Sequence, residues 1–384
     1  MSIRIIVEAG WHDRVNCPVS VKIEKKLIDG VNLSSLCLAT ERACEVIKVQ
    51  TSEDEDYITV HWIIDYLPKK EKIVYMLCSG NCVINSDSNL AFGNAADNLP
   101  MKSELADDLL KIYVNGQHYT NYYFGRKTVK PYLGPFFGKY GEQITRLDFS
   151  ASEHPHHRSL WFSHGNVNGV DTWNEPQGRH GRIINKSVDS IINGNVYTCF
   201  VAKNVWTDFN ETPLLNDETT ITFYNTPRHL RILDAKLTLT AGYGKVTLGS
   251  TKEAGPIAIR VSDNLTVNKT GTIVNGYGGI NEEEIWMKRA PWCDYFGVEE
   301  GHTSGISIFD HPENPDYPSY WHARNYGLFA PNNFYKLGDR IIEPGQSITY
   351  NYRVIIHSGD TWSARIGDRY HDYVNPPDIQ VQVI

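Results

Sequence analysis

Hydrophobic and polar residues alternate with a period of two along much of the chain. In the segment RILDAKLTLT, residues 231–240, polar or charged residues separate Leu233, Ala235, Leu237 and Leu239. This alternation predicts a β-strand with one buried face. The AGYG that follows can form a turn, and KVTLG is then expected to return as the neighbouring strand.

The same period recurs in VYTCFVAKNVW, IAIRVSD, YITVHWII and SITYNYRVIIH. In the last of these, five apolar or aromatic residues share one face: Ile348, Tyr350, Tyr352, Val354 and Ile356. Many alternating strands separated by turn residues are typical of antiparallel sheets with one buried face. The predicted fold class is therefore all-β, with sandwich architecture.

Helical patterns are few. KSELADDLLKIY, residues 102–113, is a candidate short helix or connector. Near the C-terminus, Asp360 or Thr361 can cap a short helix that Pro376 and Pro377 would end. The apolar face of this C-terminal helix would consist of Ile366, Tyr370, Tyr373 and Val374.

The length of 384 residues favours two domains, at roughly 100–200 residues each. Residues 85–100 are rich in Asn, Asp and Ser, as linkers and loops are. We therefore predict a small β-sandwich domain over residues 1–95. Residues 105–384 would form a large antiparallel β-sandwich that carries the chemistry.

Charge and composition exclude several classes of partner. The chain has 37 Lys and Arg against 45 Asp and Glu, a net charge of −8, without the basic footprint that nucleic acid requires. We see no signal peptide and no apolar run of roughly 20 residues for a membrane helix. Seven cysteines at irregular spacing favour free thiols over a disulfide framework. We therefore expect a cytoplasmic protein without nucleic-acid or membrane partners.

The most unusual stretch is EHPHHRSLWFSHGNVNGVDTWNE, residues 153–175, which holds four of the fourteen histidines. On an extended segment, His154 and His156 would point to one face and His157 to the other. Histidines titrate near neutrality, so His156 and His157 are candidates for acid–base catalysis. No cofactor is predicted. The alternatives are purely structural histidines, or a divalent metal held by His154, His156 and His311.

Four other stretches combine charged groups with aromatic rings. STKEAGPIAIRVSD places Glu253 just before a strand, where it could act as a base. His322, in SYWHARNYG, is a further catalytic candidate. The residues predicted to bind substrate are Arg158, Trp161, His164, Asp171, Trp173, Arg260, Lys288, Arg289, Trp292, Asp294, Asp310, His311, Trp321 and Arg324.

Five segments resemble the bacterial PmoA-like family over most of the chain: DRVNCPVSV, HPHHRSLWFSHGNVNGVDTW, TKEAGPIAIRVSD, KRAPWCDY and FDHPENPDYPSYWHARNYGLFAPN. The resemblance implies bacterial carbohydrate catabolism and a large domain similar to the galactose-mutarotase-type supersandwich. Sites of that type commonly pair a histidine acid with a glutamate base. The matching residues here are His156, His157, His164 or His322 with Glu253.

The leading hypothesis is an enzyme that acts on a small-molecule sugar or oligosaccharide. Elimination, hydrolysis and epimerisation stay open, and an oxidised sugar would suit proton abstraction next to a carbonyl. A non-catalytic carbohydrate-binding protein is the second hypothesis. A metal-dependent enzyme built on the HPHH cluster is the third. The pattern predicts no particular oligomeric state.

Overall fold

The computed structural model describes residues 3–28, 30–41, 46–79, 99–151 and 153–384. Antiparallel strands dominate these residues, which confirms the all-β prediction. In chain order the strands are β1 (Ile3–Glu8), β2 (Arg14–Glu24), β3 (Leu36–Thr40), β4 (Val46–Lys48), β5 (Gln50–Glu53), β6 (Tyr57–Leu67), β7 (Lys72–Ser79), β8 (Lys102–Leu105), β9 (Leu109–Val114), β10 (Gln117–Tyr123), β11 (Tyr132–Gly134), β12 (Leu160–His164), β13 (Arg182–Ile192), β14 (Tyr197–Thr207), β15 (Pro213–Tyr224), β16 (Leu230–Thr240), β17 (Val246–Leu248), β18 (Ala254–Arg260), β19 (Thr272–Asn275), β20 (Trp292–Glu299), β21 (His302–Asp310), β22 (Trp321–Ala323), β23 (Leu328–Pro331), β24 (Arg340–Ile342), β25 (Ser347–Ser358) and β26 (Asp378–Val383).

Three α-helices occur in the described part of the chain: α1 (Asn281–Ile285), α2 (Phe334–Leu337) and α3 (Ile366–Val374). Helix α3 matches the predicted C-terminal helix, and Ile366 and Tyr370 are buried on it. Its predicted cap is wrong, because the helix begins after Arg365 and no side chain caps it. Asp360 instead accepts a hydrogen bond from the Ser363 amide, one turn earlier in the chain.

The N-terminal residues form two small sheets that share a core. One sheet has the order β26-β1-β7-β3-β4 and the other β2-β6-β5. Trp62, Ile5 and Leu38 are fully buried between them. Strand β26 pairs with β1 along its whole length, so the last strand of the chain joins the first one. The predicted boundary segment lies mostly outside the described residues, and the two-domain division stays a prediction.

Two eight-stranded sheets form the main sandwich. Their orders are β22-β23-β18-β12-β11-β10-β9-β8 and β13-β14-β15-β16-β25-β21-β20-β19. Between them lies one large apolar core, which includes Leu233, Leu237 and Leu239 from the alternating segment. We call the first of these sheets the site sheet, because the candidate side chains lie on its outer face.

Two local expectations are wrong. KVTLG does not return beside β16; its strand β17 pairs with β24, and β16 pairs with β15 and β25. Residues 102–113 form the β8–β9 hairpin rather than a helix, closed by a hydrogen bond of 2.8 Å from the Ala106 amide to the Leu109 carbonyl. Leu110 and Ile112 are buried while Lys111 is exposed, which is a period of two.

Four described cysteines are free: Cys17, Cys78, Cys199 and Cys293. Cys37 is disulfide-bonded, so the expectation of free thiols is wrong at that residue. Among the described residues, none of the helices has the length and apolarity needed to cross a membrane.

Candidate functional site

The outer face of the site sheet carries an aromatic floor. The strand register aligns Tyr123 with Tyr132, Tyr132 with Trp161, and Trp161 with Ala258. Their chain neighbours, such as Leu160 and Ile259, point into the main core instead. This outer cluster consists of Tyr132, Trp161, Trp173, Ala258, Leu328 and Ala330. All six residues are buried, so they form an apolar layer on which the groups above them pack.

The HPHH segment forms a turn above this floor. The His157 amide donates to the His154 carbonyl at 3.1 Å, and His154 has a left-handed φ of 51°. Arg146 Nη2 donates to the carbonyls of Glu153 and His154 at 2.9 Å and fixes the turn. The expectation that the histidines alternate along an extended segment is therefore wrong, and their rings meet.

The histidine rings form a continuous stack with two other aromatic side chains. Tyr326 stacks on His154 at 4.7 Å, His154 on His157 at 4.8 Å, and His157 on Trp161 at 5.2 Å, each within 23° of parallel. His156 meets His157 edge-on at 4.6 Å. The stack places polar ring nitrogens directly above the aromatic floor.

Two cations lie beneath the histidine turn and share one carboxylate. Lys130 Nζ is fully buried, 2.8 Å from Glu175 Oε1, and donates to the Trp173 carbonyl at 2.7 Å. Arg158 Nη2 lies 2.6 Å from Glu175 Oε2. Burial lowers the pKa of Lys130 to about 8, although Glu175 opposes the shift. One half-buried carboxylate therefore faces two cations.

Burial keeps the histidines uncharged at neutral pH. Desolvation, followed by the charge of Lys130, lowers the pKa of His156 to about 3. Desolvation, followed by His156 and Arg260, holds the pKa of His157 well below its usual range. Neutral imidazoles accept protons or hydrogen bonds more readily than they donate protons as acids. The neutral rings can accept a hydrogen bond, and the role of a histidine as the acid stays a prediction.

Several buried polar atoms of this face have no partner within the described protein. They are His156 Nε2, His157 Nδ1, Trp161 Nε1 and Ser163 Oγ. Ser163 lies two residues from Trp161 on β12, on the same face of the strand. Buried polar atoms are normally hydrogen-bonded, so an unpartnered group of this size indicates a place for water or a ligand.

A second group of candidates lies at the β22 and β18 edge of the same face. His322 is 2% exposed, and burial followed by Arg324 and Lys252 lowers its pKa to about 3. Arg324 pairs with Glu282 at 2.8 Å and lies 5.3 Å from the ring centre of Tyr326. Tyr326 therefore links the histidine stack to this second group.

Glu253 precedes β18 and is partly exposed. Its carboxylate accepts from the Thr251 hydroxyl at 3.2 Å and lies 3.4 Å from Lys252 Nζ. Its backbone carbonyl accepts from the Gly165 amide at 2.8 Å, which ties it to the end of β12. Glu253 thus borders the outer face. None of its described hydrogen bonds reaches a histidine ring.

Other residues predicted to bind substrate make hydrogen bonds and packing contacts within the fold. His164 bonds to the Gly249 carbonyl at 2.9 Å and packs against Phe334. Asp171 accepts from the amides of Trp173 and Asn174 and shapes their turn. Trp321 is buried and donates from Nε1 to the Ala290 carbonyl at 2.9 Å.

The KRAPWCD stretch likewise supports the fold. Trp292 packs in the apolar cluster beneath α3. Asp294 is fully buried and accepts from Ser307 and from the Thr361 hydroxyl. Arg289 Nη1 donates to two carbonyls of the Pro-rich loop at 2.7 Å, while Lys288 is exposed. None of the contacts described for these four residues reaches the histidine turn.

The DHPEN loop forms a separate neighbourhood. Asp310 is fully buried and accepts from Asn314 and the Ser319 amide, and burial raises its pKa to about 6. His311 packs edge-on against Tyr373 at 5.0 Å. A nearby cleft is lined by the loop and by α2, with Asp316 among its residues, and it does not include the HPHH residues.

The proposed metal ligands His154, His156 and His311 are therefore not gathered at one point. Within the described ranges, no group of three or more His, Cys, Asp or Glu side chains is placed to hold a metal ion. The metal hypothesis thus has no geometric support in this part of the chain.

Sequence reasoning missed four important side chains: Lys130, Arg146, Ser163 and Tyr326. Lys130 did carry a signal, since it stands beside the apolar run PYLGPFF. A lysine that becomes fully buried is rare unless it is paired. Arg146 and Tyr326 meet the turn only through folding, and nothing local marks them.

Comparison with known families gives a clear match. Residues 110–371 match the family of unknown function DUF6807. The chain belongs to this family. The matched residues include the whole histidine turn, β18 and β22. Membership of the PmoA-like family stays a prediction.

No curated protein matches the sequence significantly. Among solved structures, an alpha-mannosidase from Enterococcus faecalis V583 aligns with a TM-score of 0.49 at 10% identity, covering 100% of this chain and 46% of that one. A glycosyl hydrolase family 38 protein from Enterococcus faecalis aligns at 0.45 and 10% identity, covering 100% and 47%. An alpha-galactosidase from Lactobacillus brevis aligns at 0.33 and 10% identity, covering 71% and 42%. The chain spans less than half of these structures, and such distant likenesses say nothing about its activity.

Proposed function

We propose that this protein is an enzyme that binds a sugar or glycoside on the outer face of the site sheet and transfers a proton there. The observation that carries the proposal is the set of buried, unpartnered polar atoms directly above an aromatic floor. Sugars have apolar C–H faces that suit aromatic rings, and hydroxyl groups that suit ring nitrogens and hydroxyls.

The chemistry uses the neutral state of the histidines, and a negative charge brought by the ligand would raise their pKa towards the range in which they act as bases. A neutral imidazole of His157 or His322 accepts a proton from a carbon next to a carbonyl group, and the electron pair moves to the carbonyl oxygen as an enolate. A nearby guanidinium stabilises that negative charge. In an elimination the histidine then passes its proton to the departing oxygen group as the carbon–oxygen bond breaks. In an epimerisation a proton from water reaches the opposite face of the carbon instead, and the histidine releases its own proton to solvent.

Glu253 remains a candidate base at the border of the same face. A carboxylate there could instead activate water for hydrolysis of a glycoside. Full turnover in Glu253→Gln would remove this residue from the mechanism. Turnover lost in both Glu253→Gln and His157→Gln would support a paired role.

The test is a panel of glycosides, 3-keto sugars and uronates incubated with the purified full chain, with products separated and identified. We expect at least one sugar to be consumed, and His157→Gln and His322→Gln to slow this strongly. His371→Gln, the same change on the exposed side of α3, is the matched control. Absence of turnover across the panel, with wild-type folding intact, would contradict the proposal.

A non-catalytic sugar-binding protein is the second candidate. The observation that favours it is the strongly lowered pKa of His156 and His322, because a ring that stays neutral can hydrogen-bond a sugar hydroxyl but takes up a proton only reluctantly. A sugar that raises the melting temperature without being consumed, through the same histidines, would support this candidate over the enzyme.

A further inference from the structure

Two buried arginines beside the histidine stack lack adequate carboxylate partners. Arg260, the last residue of β18, is 1% exposed, and its Nε and Nη1 have no hydrogen-bond partner within the described protein. Arg146 is 6% exposed, and its Nε is also unpartnered. Burying a guanidinium without compensating hydrogen bonds is strongly unfavourable, because the charge loses its hydration.

One carboxylate, Asp263, forms the ion pairs described for both arginines, and it does not satisfy them. Its Oδ1 lies 3.6 Å from Arg146 Nη1 and 3.9 Å from Arg260 Nη2, beyond hydrogen-bond range for both. Its side chain is 59% exposed, so water screens much of its charge. The neighbouring Glu153 is also exposed and bonds instead to His154 Nδ1 at 3.0 Å.

The surrounding loop holds Arg260 against the site. Its guanidinium lies 4.8 Å from the ring centre of Tyr326, the same ring that stacks on His154. Gly327 follows with a φ of 110°, and a Cβ there would lie 3.3 Å from Arg260 Nε. The chain therefore approaches the guanidinium closely, while Nε and Nη1 stay without a hydrogen-bond partner in the described protein.

The positive charges of the two arginines contribute to the lowered pKa values of the stacked histidines. Arg260 lowers the pKa of both His154 and His157, and Arg146 lowers that of His156, in each case after burial. A bound negative charge would relieve this effect and bring the histidines closer to their ordinary range. An anion at the arginines and proton acceptance by the histidines would thus support each other.

We propose that Arg260 and Arg146 form an oxyanion subsite that receives the carboxylate of an acidic sugar of the uronate class. This inference rests on the proposed sugar site, whose substrate class it names. Planar guanidinium groups match carboxylate oxygens with two parallel hydrogen bonds. A sugar phosphate offers the same oxyanion chemistry and is distinguished in the experiment.

The experiment is calorimetric titration of the full chain with glucuronate, glucose 6-phosphate and glucose, in a buffer free of other carboxylates and phosphate. We expect glucuronate to bind at least tenfold more tightly than glucose. Arg260→Gln should abolish this preference. Asp263→Asn should strengthen glucuronate binding several-fold, because it removes a competing carboxylate from an exposed position.

Asp189→Asn is the control, since it removes the same charge from an exposed side chain on β13. If Arg260→Gln does not fold, two other variants test the subsite. Arg146→Gln should weaken glucuronate binding and Asp263→Asn should strengthen it. Preference for glucose 6-phosphate would assign the same subsite a phosphate. Equal binding of all three ligands, or a preference unmoved by these substitutions, would overturn the inference.

A turnover assay tests the proposed function separately from the binding titration. Consumption of a neutral glycoside that depends on His157, without preference for acidic ligands, would leave the function standing and refute the subsite. Tight glucuronate binding through Arg260, with no sugar consumed, would support the subsite and refute catalysis.

Discussion

The segments EHPHH and DHPEN look alike in sequence, since each places a carboxylate, a histidine and a proline in order. Their structures differ in one decisive respect. Asp310 of the second segment is buried with both oxygens hydrogen-bonded. In the first, the rings of His156 and His157 pack edge-on, and His156 Nε2 and His157 Nδ1 have no hydrogen-bond partner in the described protein. Buried polar groups with hydrogen-bond partners hold a loop in place, whereas buried polar groups without partners can bind a ligand or water.

The largest effect is expected from a substitution that removes a histidine ring of the EHPHH segment. We expect His157→Gln to lower turnover by ~10²–10⁴-fold, the usual contribution of a positioned acid–base group. The melting temperature should also fall, because the stacking of the His157 ring on His154 and Trp161 is lost, so the kinetics are measured on variant protein shown to be folded. Steady-state kinetics with the sugar found in the panel checks this. Unchanged kinetics would place His157 among the structural residues.

A substitution in the DHPEN segment should lower the free energy of unfolding rather than turnover. Asp310→Ala leaves the Asn314 side chain and the Ser319 amide without their acceptor. We expect the free energy of unfolding to fall by about 2–4 kcal/mol, the cost of two unsatisfied buried donors. Urea denaturation measures it, with Asp189→Ala as an exposed control. Sugar affinity of the folded protein should be unaltered, and a large loss of affinity would argue against the division of roles.

The two segments should also respond to pH in opposite directions. The pKa of His156 is lowered to about 3, so the unfolded chain binds more protons between pH 3 and 6.5, and stability is lost as pH falls through this window. The pKa of Asp310 is raised to about 6 from 3.8, so its contribution is lost as pH rises from 4 to 6.

Each group contributes a slope of at most about 1.4 kcal/mol per pH unit. Urea denaturation between pH 4 and 7 checks both signs. We expect His156→Gln to reduce the acid-side loss of stability and Asp310→Asn to increase the net slope. Identical slopes in the two variants would contradict the opposite shifts.

The smallest effect is expected at Lys288, which sequence analysis placed among the substrate-binding residues. Its Nζ makes one long contact, 3.4 Å from the Glu283 carbonyl, and the residue is exposed. Lys288→Ala should change the free energy of unfolding by less than about 0.5 kcal/mol. Sugar affinity should stay within twofold of wild type, and a greater loss would extend the site to this loop.

Much of the secondary structure could be predicted because its signal is local. Alternation over 231–240 marks the buried face of β16, and apolar residues four apart mark α3. The hairpin at 102–113 was missed although its alternation is visible, because good helix formers such as Leu, Lys and Ala compete with the period-two signal. The histidine stretch is predicted as an extended segment, whereas the structure shows a turn; its role as a site stays a prediction.

Three properties follow from the sequence alone, because each depends on neighbours in the chain: the strand class, the buried faces of the strands and the concentration of reactive side chains in residues 153–175. The pairing of the strands, the identity of the unsatisfied histidines, and the contacts of Lys130 with Glu175 and of Tyr326 with Arg260 arise only in the folded chain. These contacts join residues separated by tens of positions. Packing and desolvation, which set charge states and leave polar atoms free, exist only once those distant segments meet.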